Sequence, residues 1–290
     1  MSRGDQAPIG PPIVTASSGL IGDRVQCALA SRFEAIQLRA ANGDIEHYVA
    51  RDNHGDVVEL RVLSARRTSD AWSRDLFRLE AEAASRLAHV NIIGSGHAEE
   101  LNGVLFSVTE HKPAVRTLRE LVDSNGWLDM KSAAEIADQL AGALGYAHQA
   151  GVLHLRLQPE SILVEPDGWV TLVEFGIAAG DQADRLRPPR VPYASPEQTM
   201  RATVDHRSDL YSLGAVLYEM LTDRTPFDST DEQYVRQRQV AYQAAPPHLI
   251  STDVPESVSA VVMSLLERDP AKRFSSATAL QAALAEAMNF

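Results

Sequence analysis

The hydrophobic period of this chain changes once, and that change limits the architectures open to it. Up to about residue 110 apolar residues recur every second position: Val58, Leu60 and Val62 alternate with Glu59, Arg61 and Leu63, and Val104, Phe106 and Val108 repeat the pattern. Alternation of this kind marks strands. One helical run interrupts it at about 70–88, with Leu76, Leu79, Ala83 and Leu87 on one face. After Pro113 the period becomes helical. Ile136, Leu140, Leu144 and Ala147 make one face; Leu210, Leu213, Leu217 and Met220 a second; Val258, Val261, Val262, Leu265 and Leu266 a third; Ala277, Leu280 and Leu284 a fourth. Turn-forming residues at 223–227 and Asp269-Pro270 punctuate these helices. Within this half, 161–173 reads as a hairpin turning at Pro166-Asp167-Gly168. The outline is α+β. A Gly-, Pro- and Ser-rich stretch at 1–18 reads as a flexible tail, 19–112 as a small sheet-rich lobe with one helix, and 113–290 as a larger, mainly helical lobe.

Composition narrows the function. With 44% hydrophobic and 23% charged residues the chain has material for a sizeable core and is not mostly disordered. Its apolar stretches are too short and interrupted for a transmembrane helix, so no membrane contact is expected within it. Its start carries Pro and Gly where a signal peptide needs an apolar core. Cys27, the only cysteine, excludes an internal disulfide and fits a reducing compartment, so the expected location is the cytoplasm. A net charge of −12 argues against a nucleic-acid or anionic-membrane partner. His47, His89, His111, His148 and His154 show no metal-like clustering. Tyr211 to Leu221 is apolar nearly all round, which places that helix in a buried core.

The segment His154-Leu-Arg-Leu-Gln-Pro-Glu-Ser-Ile-Leu-Val164 resembles the protein-kinase catalytic loop that normally reads HRDLKPENILV. Glu174-Phe175-Gly176 then stands where DFG stands, and Ser195-Pro196-Glu197 where APE stands. Asp209-Leu-Tyr-Ser-Leu-Gly214 resembles the start of the helix that anchors the large lobe, and Arg273 occupies the place of the arginine that partners the APE glutamate. The order and spacing match from about Arg32 onward, and SPEQ followed by RSDLYSLGAVLYEMLT looks most like the bacterial eukaryotic-type (Hanks-type) Ser/Thr kinases. The resemblance implies a bilobal protein kinase-like fold with a small five-stranded antiparallel N-lobe. It also implies positions whose chemistry can be checked one at a time.

Those positions have changed. In the loop that should cradle phosphate, Ala40, Asn42 and Ile45 replace the three glycines, although only a backbone without Cβ bends closely over phosphate. Arg61 replaces the phosphate-gripping lysine, in a chain whose only lysines are Lys112, Lys131 and Lys272. Glu59 and His47 stand where the family packs Ala and Val on adenine, and a carboxylate there would lose water without gaining a partner. Glu59 and Arg61, two apart on a strand, share a face and are expected to pair. Glu80 matches the helix glutamate that pairs with the lysine, a second carboxylate within Arg61's reach. Arg156 stands in place of the base Asp, and its guanidinium cannot accept a proton. Gln158 replaces the lysine that steadies the phosphoryl group, Ser161 the metal-binding Asn, and Glu174 the metal-binding Asp. Residues 176–194 hold no Ser or Thr, only Tyr193, and Leu155 stands for the phosphate-gripping arginine, so both halves of the usual phospho-switch are missing.

The positions that carry the fold are retained. His154 and Phe175 match the stacked spine, Leu163 the apolar floor under adenine, Glu197 and Arg273 the ion pair of the activation segment, and Asp209 the acceptor of catalytic-loop amides. The expected function is therefore a pseudokinase, a kinase-fold module that regulates a protein partner, such as another kinase or a phosphoprotein. No catalytic residue, no metal and no cofactor are expected; Glu174 is the one weak metal candidate, and ATP and magnesium would find little to hold them. Two alternatives stand beside it. One is a divergent kinase or ATP-dependent transferase using Glu174 for metal, Arg61 for phosphate and Glu160 as base. The other is a nucleotide-responsive switch built on Leu163 and a hinge at 109–112. An Arg156–Glu174 bridge is expected across the degraded site, and Arg185, Arg187 and Arg190 make a basic run that reads as a solvated loop or, more sharply, a docking site for an acidic partner.

Overall fold

The computed structural model describes residues 19–42, 44–112, 115–175, 177–178 and 190–288. The expected tail at 1–18, Pro113, Arg185, Arg187 and most of the 176–194 segment lie outside them. Contacts divide the chain into two compact units. One comprises the described residues up to Ala81 together with Ser95–His111; the other comprises Glu82–Gly94 and the described residues from Lys112 onward.

The first unit is a five-stranded antiparallel sheet. Strands β1 (Phe33–Asn42), β2 (Ile45–Asp52), β3 (Val57–Leu63), β4 (Glu99–Leu101) and β5 (Val104–Glu110) are ordered β1-β2-β3-β5-β4. Alternation along β3 sends Leu60 and Val62 to one face and Arg61 and Leu63 to the other. On the first face they join Tyr48 and Phe106 and are covered by Val25 and Leu29 of a helix α1 (Gly19–Leu29). On the second face Leu63 packs with Ile45, Leu105 and Phe77 of α2 (Ala71–Ser85). The sequence reading expected one helix here. The helix α1 escaped it because, among its described side chains, the buried ones are the i, i+4 pair Val25 and Leu29, too short a stripe to set a period. In α2, Leu76 is buried as expected but Leu79 is 39% exposed. The covered stripe runs instead through Phe77, Glu80 and Ala81, because a glutamate with a buried partner can occupy a position that hydropathy assigns to a leucine.

The second unit is mainly helical. It contains α3 (Leu118–Asn125), α4 (Met130–Gln149), α5 (Pro196–Thr199), α6 (His206–Thr222), α7 (Glu232–Ala241), α8 (Glu256–Leu265) and α9 (Ala277–Met288). Short strands β6 (Arg116–Thr117), β8 (Ile162–Val164) and β9 (Val170–Leu172) form one sheet, and β7 (Val152–Leu153) pairs with β10 (Ile177–Ala178). The hairpin expected at 161–173 is β8–β9, closed over Gly168 at φ 86°, a value that suits glycine alone in such a turn. All four expected helical faces are buried. The centre is α6, in which every residue from Ser208 to Thr222 is buried. Gly214 lets α8 approach, since a Cβ there would stand 2.5 Å from Leu265 Cβ. Side chains close the helix ends: Thr117 and Glu120 form a capping box on α3, and Asp129, Asp205 and Asp231 cap α4, α6 and α7.

Candidate functional site

The positions singled out by the resemblance fall in both units. In the first unit they gather on the β-sheet face that also carries Leu63. Arg61 is buried (7% exposed) and sends Nη2 to Glu80 Oε2 at 3.4 Å, with its guanidinium 5.9 Å from the Phe77 ring centre. Glu59 does not pair with Arg61 as expected. His47 lies one step diagonally across the β2–β3 register, and its Nδ1 meets Glu59 Oε1 at 3.2 Å, while the deeper Glu80 holds the arginine. The expected shared face is correct, but a cross-strand diagonal brings the imidazole closer to Glu59 than an i, i+2 neighbour on the same strand.

The segment that the resemblance assigns to the phosphate loop lies at the end of the β1–β2 pair. Asn42 and Ile45 face each other across the β1–β2 register, with Ala40 exposed on β1. Ile45, in the place of a glycine, is 4% exposed and belongs to the core with Leu63 and Phe77. Asp44 in the turn accepts from Arg67 Nε at 2.9 Å, and its carbonyl accepts from the Ser64 amide at 2.9 Å. The turn is therefore pinned to the chain that follows β3.

In the second unit the residues matched to the family's scaffold contact one another among the described residues. Asp209, fully buried on α6, accepts from His148 Nε2 at 2.8 Å, the His154 amide at 2.9 Å and the Leu155 amide at 2.6 Å. Burial pushes its carboxyl up, and the hydrogen bonds from the His148 ring and the His154 amide outweigh that and leave it below the usual carboxylate range. His154 is wholly buried, which lowers its pKa, so the ring is neutral. Its Nε2 donates to the Val173 carbonyl at 3.0 Å, its Nδ1 accepts from the Arg156 amide at 3.3 Å, and it packs against Phe175 with ring centres 4.7 Å apart and planes tilted by 57°. Leu155 and Glu174 sit at φ 57° and 62°, left-handed backbone that side chains rarely adopt. Glu197 and Arg273 form a bidentate pair at 2.7 and 2.8 Å, with Ser208 donating to the same carboxylate at 2.6 Å. Leu163, on β8, is half-buried.

The positions that the resemblance assigns to the chemistry carry Arg156, Gln158, Ser161 and Glu174 in this unit. Arg156 Nη2 lies 3.9 Å from Glu174 Oε2, an ion pair beyond hydrogen-bond length, with side chains 18% and 16% exposed. Ser161 is fully buried; its hydroxyl donates to the Gln158 carbonyl at 2.8 Å and accepts from the Gln158 amide at 3.2 Å. Gln158 Oε1 accepts from the Arg190 amide at 3.2 Å. The exposed Arg190 side chain pairs with Glu160, which also lies 3.5 Å from Arg119 Nε. Among the described residues no three His, Cys, Asp or Glu side chains converge as a metal site would require, and no helix is long and apolar enough to cross a membrane.

The sequence reading missed one cluster. Arg119 on α3 donates to Tyr193 Oη at 2.5 Å and to both oxygens of Glu219 at 2.9 and 3.1 Å, and Tyr193 donates to Glu219 at 2.7 Å. Arg119 and Glu219 are 100 residues apart, so no local pattern joins them. Burial and the Glu219 charge push the tyrosine hydroxyl's pKa far up, so it stays a donor.

A family model described as the protein kinase domain matches residues 44–284, and the chain belongs to that family. Within it, the relatives are the bacterial Hanks-type Ser/Thr kinases. The chain is 34% identical over 269 residues to the serine/threonine-protein kinase PknB of Mycolicibacterium smegmatis, covering 88% of this chain and 43% of that one. It is 29% identical over 269 residues to PrkC of Bacillus subtilis, covering 91% and 41%. The chain thus spans less than half the length of these relatives. The crystal structure of the Mycobacterium tuberculosis PknI kinase domain superposes with a TM-score of 0.69 at 25% identity, over 88% of this chain and 96% of that one.

Proposed function

We propose that this kinase-family domain is a pseudokinase: it transfers no phosphate and acts by binding a protein partner, in the cytoplasm that its lone cysteine suits. The observation that carries this reading is Arg156, a permanent cation 3.9 Å from Glu174, in the positions the resemblance assigns to the base and to the metal ligand. Phosphoryl transfer depends on positioned phosphates, metal ions that neutralise charge, and a carboxylate that orients the acceptor hydroxyl. A guanidinium offers no lone pair for that proton and competes with a divalent cation for the one carboxylate left. The donor set does not fit magnesium triphosphate in other respects either. Ser161 spends its hydroxyl on Gln158, and Asp44 is tied to Arg67 in a turn whose Ile45 is core.

The divergent-enzyme reading asks Glu160 to act as base, but that carboxylate is engaged by Arg190 and approached by Arg119. Losing a positioned base alone costs about 10²–10⁴ in rate. The test is incubation of the full chain with γ-labelled ATP and magnesium or manganese, together with a generic basic protein substrate. Incorporation at background level is expected in wild type, Glu174→Ala and Arg61→Ala alike; incorporation that Glu174→Ala abolishes would show an active enzyme.

A further inference from the structure

A groove in the second unit shares no residue with the constellation above. It is bounded by α4, the β8–β9 turn and α9 and holds about 460 Å³, within the range of roughly 300–1,000 Å³ usual for ligand pockets. Its floor is apolar: Ala134 and Leu284 are 4% and 3% exposed. One wall is Trp169, which is 40% exposed although it adjoins the fully buried Val170. Its rim carries Glu135, Asp138 and Asp167, and no cationic residue lines it.

We propose that this groove binds an arginine-bearing peptide segment of a partner protein. The inference extends the binding-module reading by giving the partner's chemistry. It starts from the charge balance. Asp138 accepts from Gln281 Nε2 at 3.0 Å and Asp167 from the Trp169 amide at 3.0 Å, both neutral donors, and neither carboxylate has a cationic partner among the described residues. Glu135 meets Lys131 only at 3.7 Å, with both side chains more than half exposed, a pairing of little weight. The rim therefore keeps unbalanced negative charge beside a partly exposed indole.

Among side chains, arginine answers both features at once. Its planar guanidinium stacks on an indole, pairs with carboxylates in a fixed fork, and is less strongly hydrated than an ammonium. Its methylene stem, and an apolar residue next to it, would cover the Ala134–Leu284 floor. A small polycation would match the rim but leave that floor wet. The groove is also held open before any ligand arrives. Gln139 on α4 donates to the Gly168 carbonyl at 3.0 Å, and its Oε1 accepts from the Val170 amide and from Asn91 Nδ2, each at 3.0 Å, which ties the turn bearing Trp169 to the helix bearing Asp138. Little ordering is then lost on binding.

The test uses the full chain and a fluorescent six-residue peptide of alternating arginine and leucine, blocked at both ends, read by anisotropy without nucleotide. Saturable binding is expected. Trp169→Ala, and Asp138→Asn combined with Asp167→Asn, should each weaken it by about tenfold or more. The peptide with citrulline in place of arginine should not bind. Asp138→Asn leaves an oxygen for Gln281 and reads charge alone, so the result stands even if Trp169→Ala loosens the hairpin. Absence of binding, or binding that all these variants keep within about twofold, would overturn the proposal. So would displacement by spermine as effective as by unlabelled peptide, which would make the groove a small-polycation site. Phosphoryl transfer in the assay of the preceding section would defeat the pseudokinase reading and leave this measurement unaffected.

Discussion

The backbone N–H of Leu155 donates to Asp209 Oδ1 at 2.6 Å, joining two buried residues 54 positions apart. The bond fixes a leucine at φ 57°, a conformation that costs about 1–2 kcal/mol in a residue with a Cβ. Strain of this kind persists only where the surroundings over-determine it, and it gathers at functional sites. Here it holds Arg156, the next residue, whose guanidinium lies 3.9 Å from Glu174.

Asp209→Asn should be strongly destabilising. The amide keeps one acceptor oxygen but turns an NH₂ group toward donors that now face it, leaving at least one buried N–H unsatisfied. The expected loss is about 2–4 kcal/mol. A denaturant melt with an unchanged midpoint would show that the left-handed turn is held by something else.

Glu197→Gln should be as costly in another way. It strands the Arg273 guanidinium, whose side chain is wholly buried, without its counter-charge. Removing one partner of such a pair costs about 3–5 kcal/mol. Replacing both, as Glu197→Met with Arg273→Met, should recover part of that loss, and a double-mutant cycle would measure the coupling.

Acid should weaken the fold in two stages. Burial holds the His154 pKa below its unfolded value near 6.5, so its contribution is intact above that pH. It declines as pH falls from about 6.5 toward the folded value, because the unfolded chain takes up the proton first. His89 and His111, also depressed by burial, act in the same sense. Asp209 and Glu197 are held below their ordinary values, so their contribution is present above about pH 4 and is lost as pH falls through their lower folded values. Thermal melts from pH 8 to pH 3 should show both stages. A flat Tm between pH 7 and pH 5 would contradict the histidine part.

Restoring a family glycine should harm this protein. Ile45→Gly empties a core position shared with Leu63, Phe77 and Leu105 and loosens a strand. The expected cost is about 3–5 kcal/mol from the lost side chain and the freed backbone. No ATP-induced thermal shift should appear in the variant, because Asp44 remains tied to Arg67. A shift in the variant that wild type lacks would mean that Ile45 alone blocks the loop.

Much of this was readable from the residues. The catalytic-loop register, the β8–β9 turn, the apolar sweep of α6 and the Glu197–Arg273 pair all stand where pattern and resemblance put them, because each depends on a local period or on a motif with strict spacing. Within α2 the pattern misled at Leu79. Hydropathy cannot foresee that Glu80 will be buried when its partner, Arg61, lies on a strand 19 residues earlier. The same limit applies to Glu59: strand geometry assigned it a face correctly, but its choice of His47 over Arg61 depends on the β2–β3 register.

The order of residues was thus enough to establish the fold and to show which side chains stand at the motif positions, among them a guanidinium at 156 that lacks a proton-accepting lone pair in any conformation. What required the folded chain was the fate of the groups that remain. Ser161 turning onto Gln158, Arg190 onto Glu160, Arg119 onto Glu219, and an indole and two carboxylates framing one groove are long-range or orientational facts. They depend on distances between segments far apart in the chain, and the free energy of each polar group is decided by which partner lies within about 3 Å once water has been excluded.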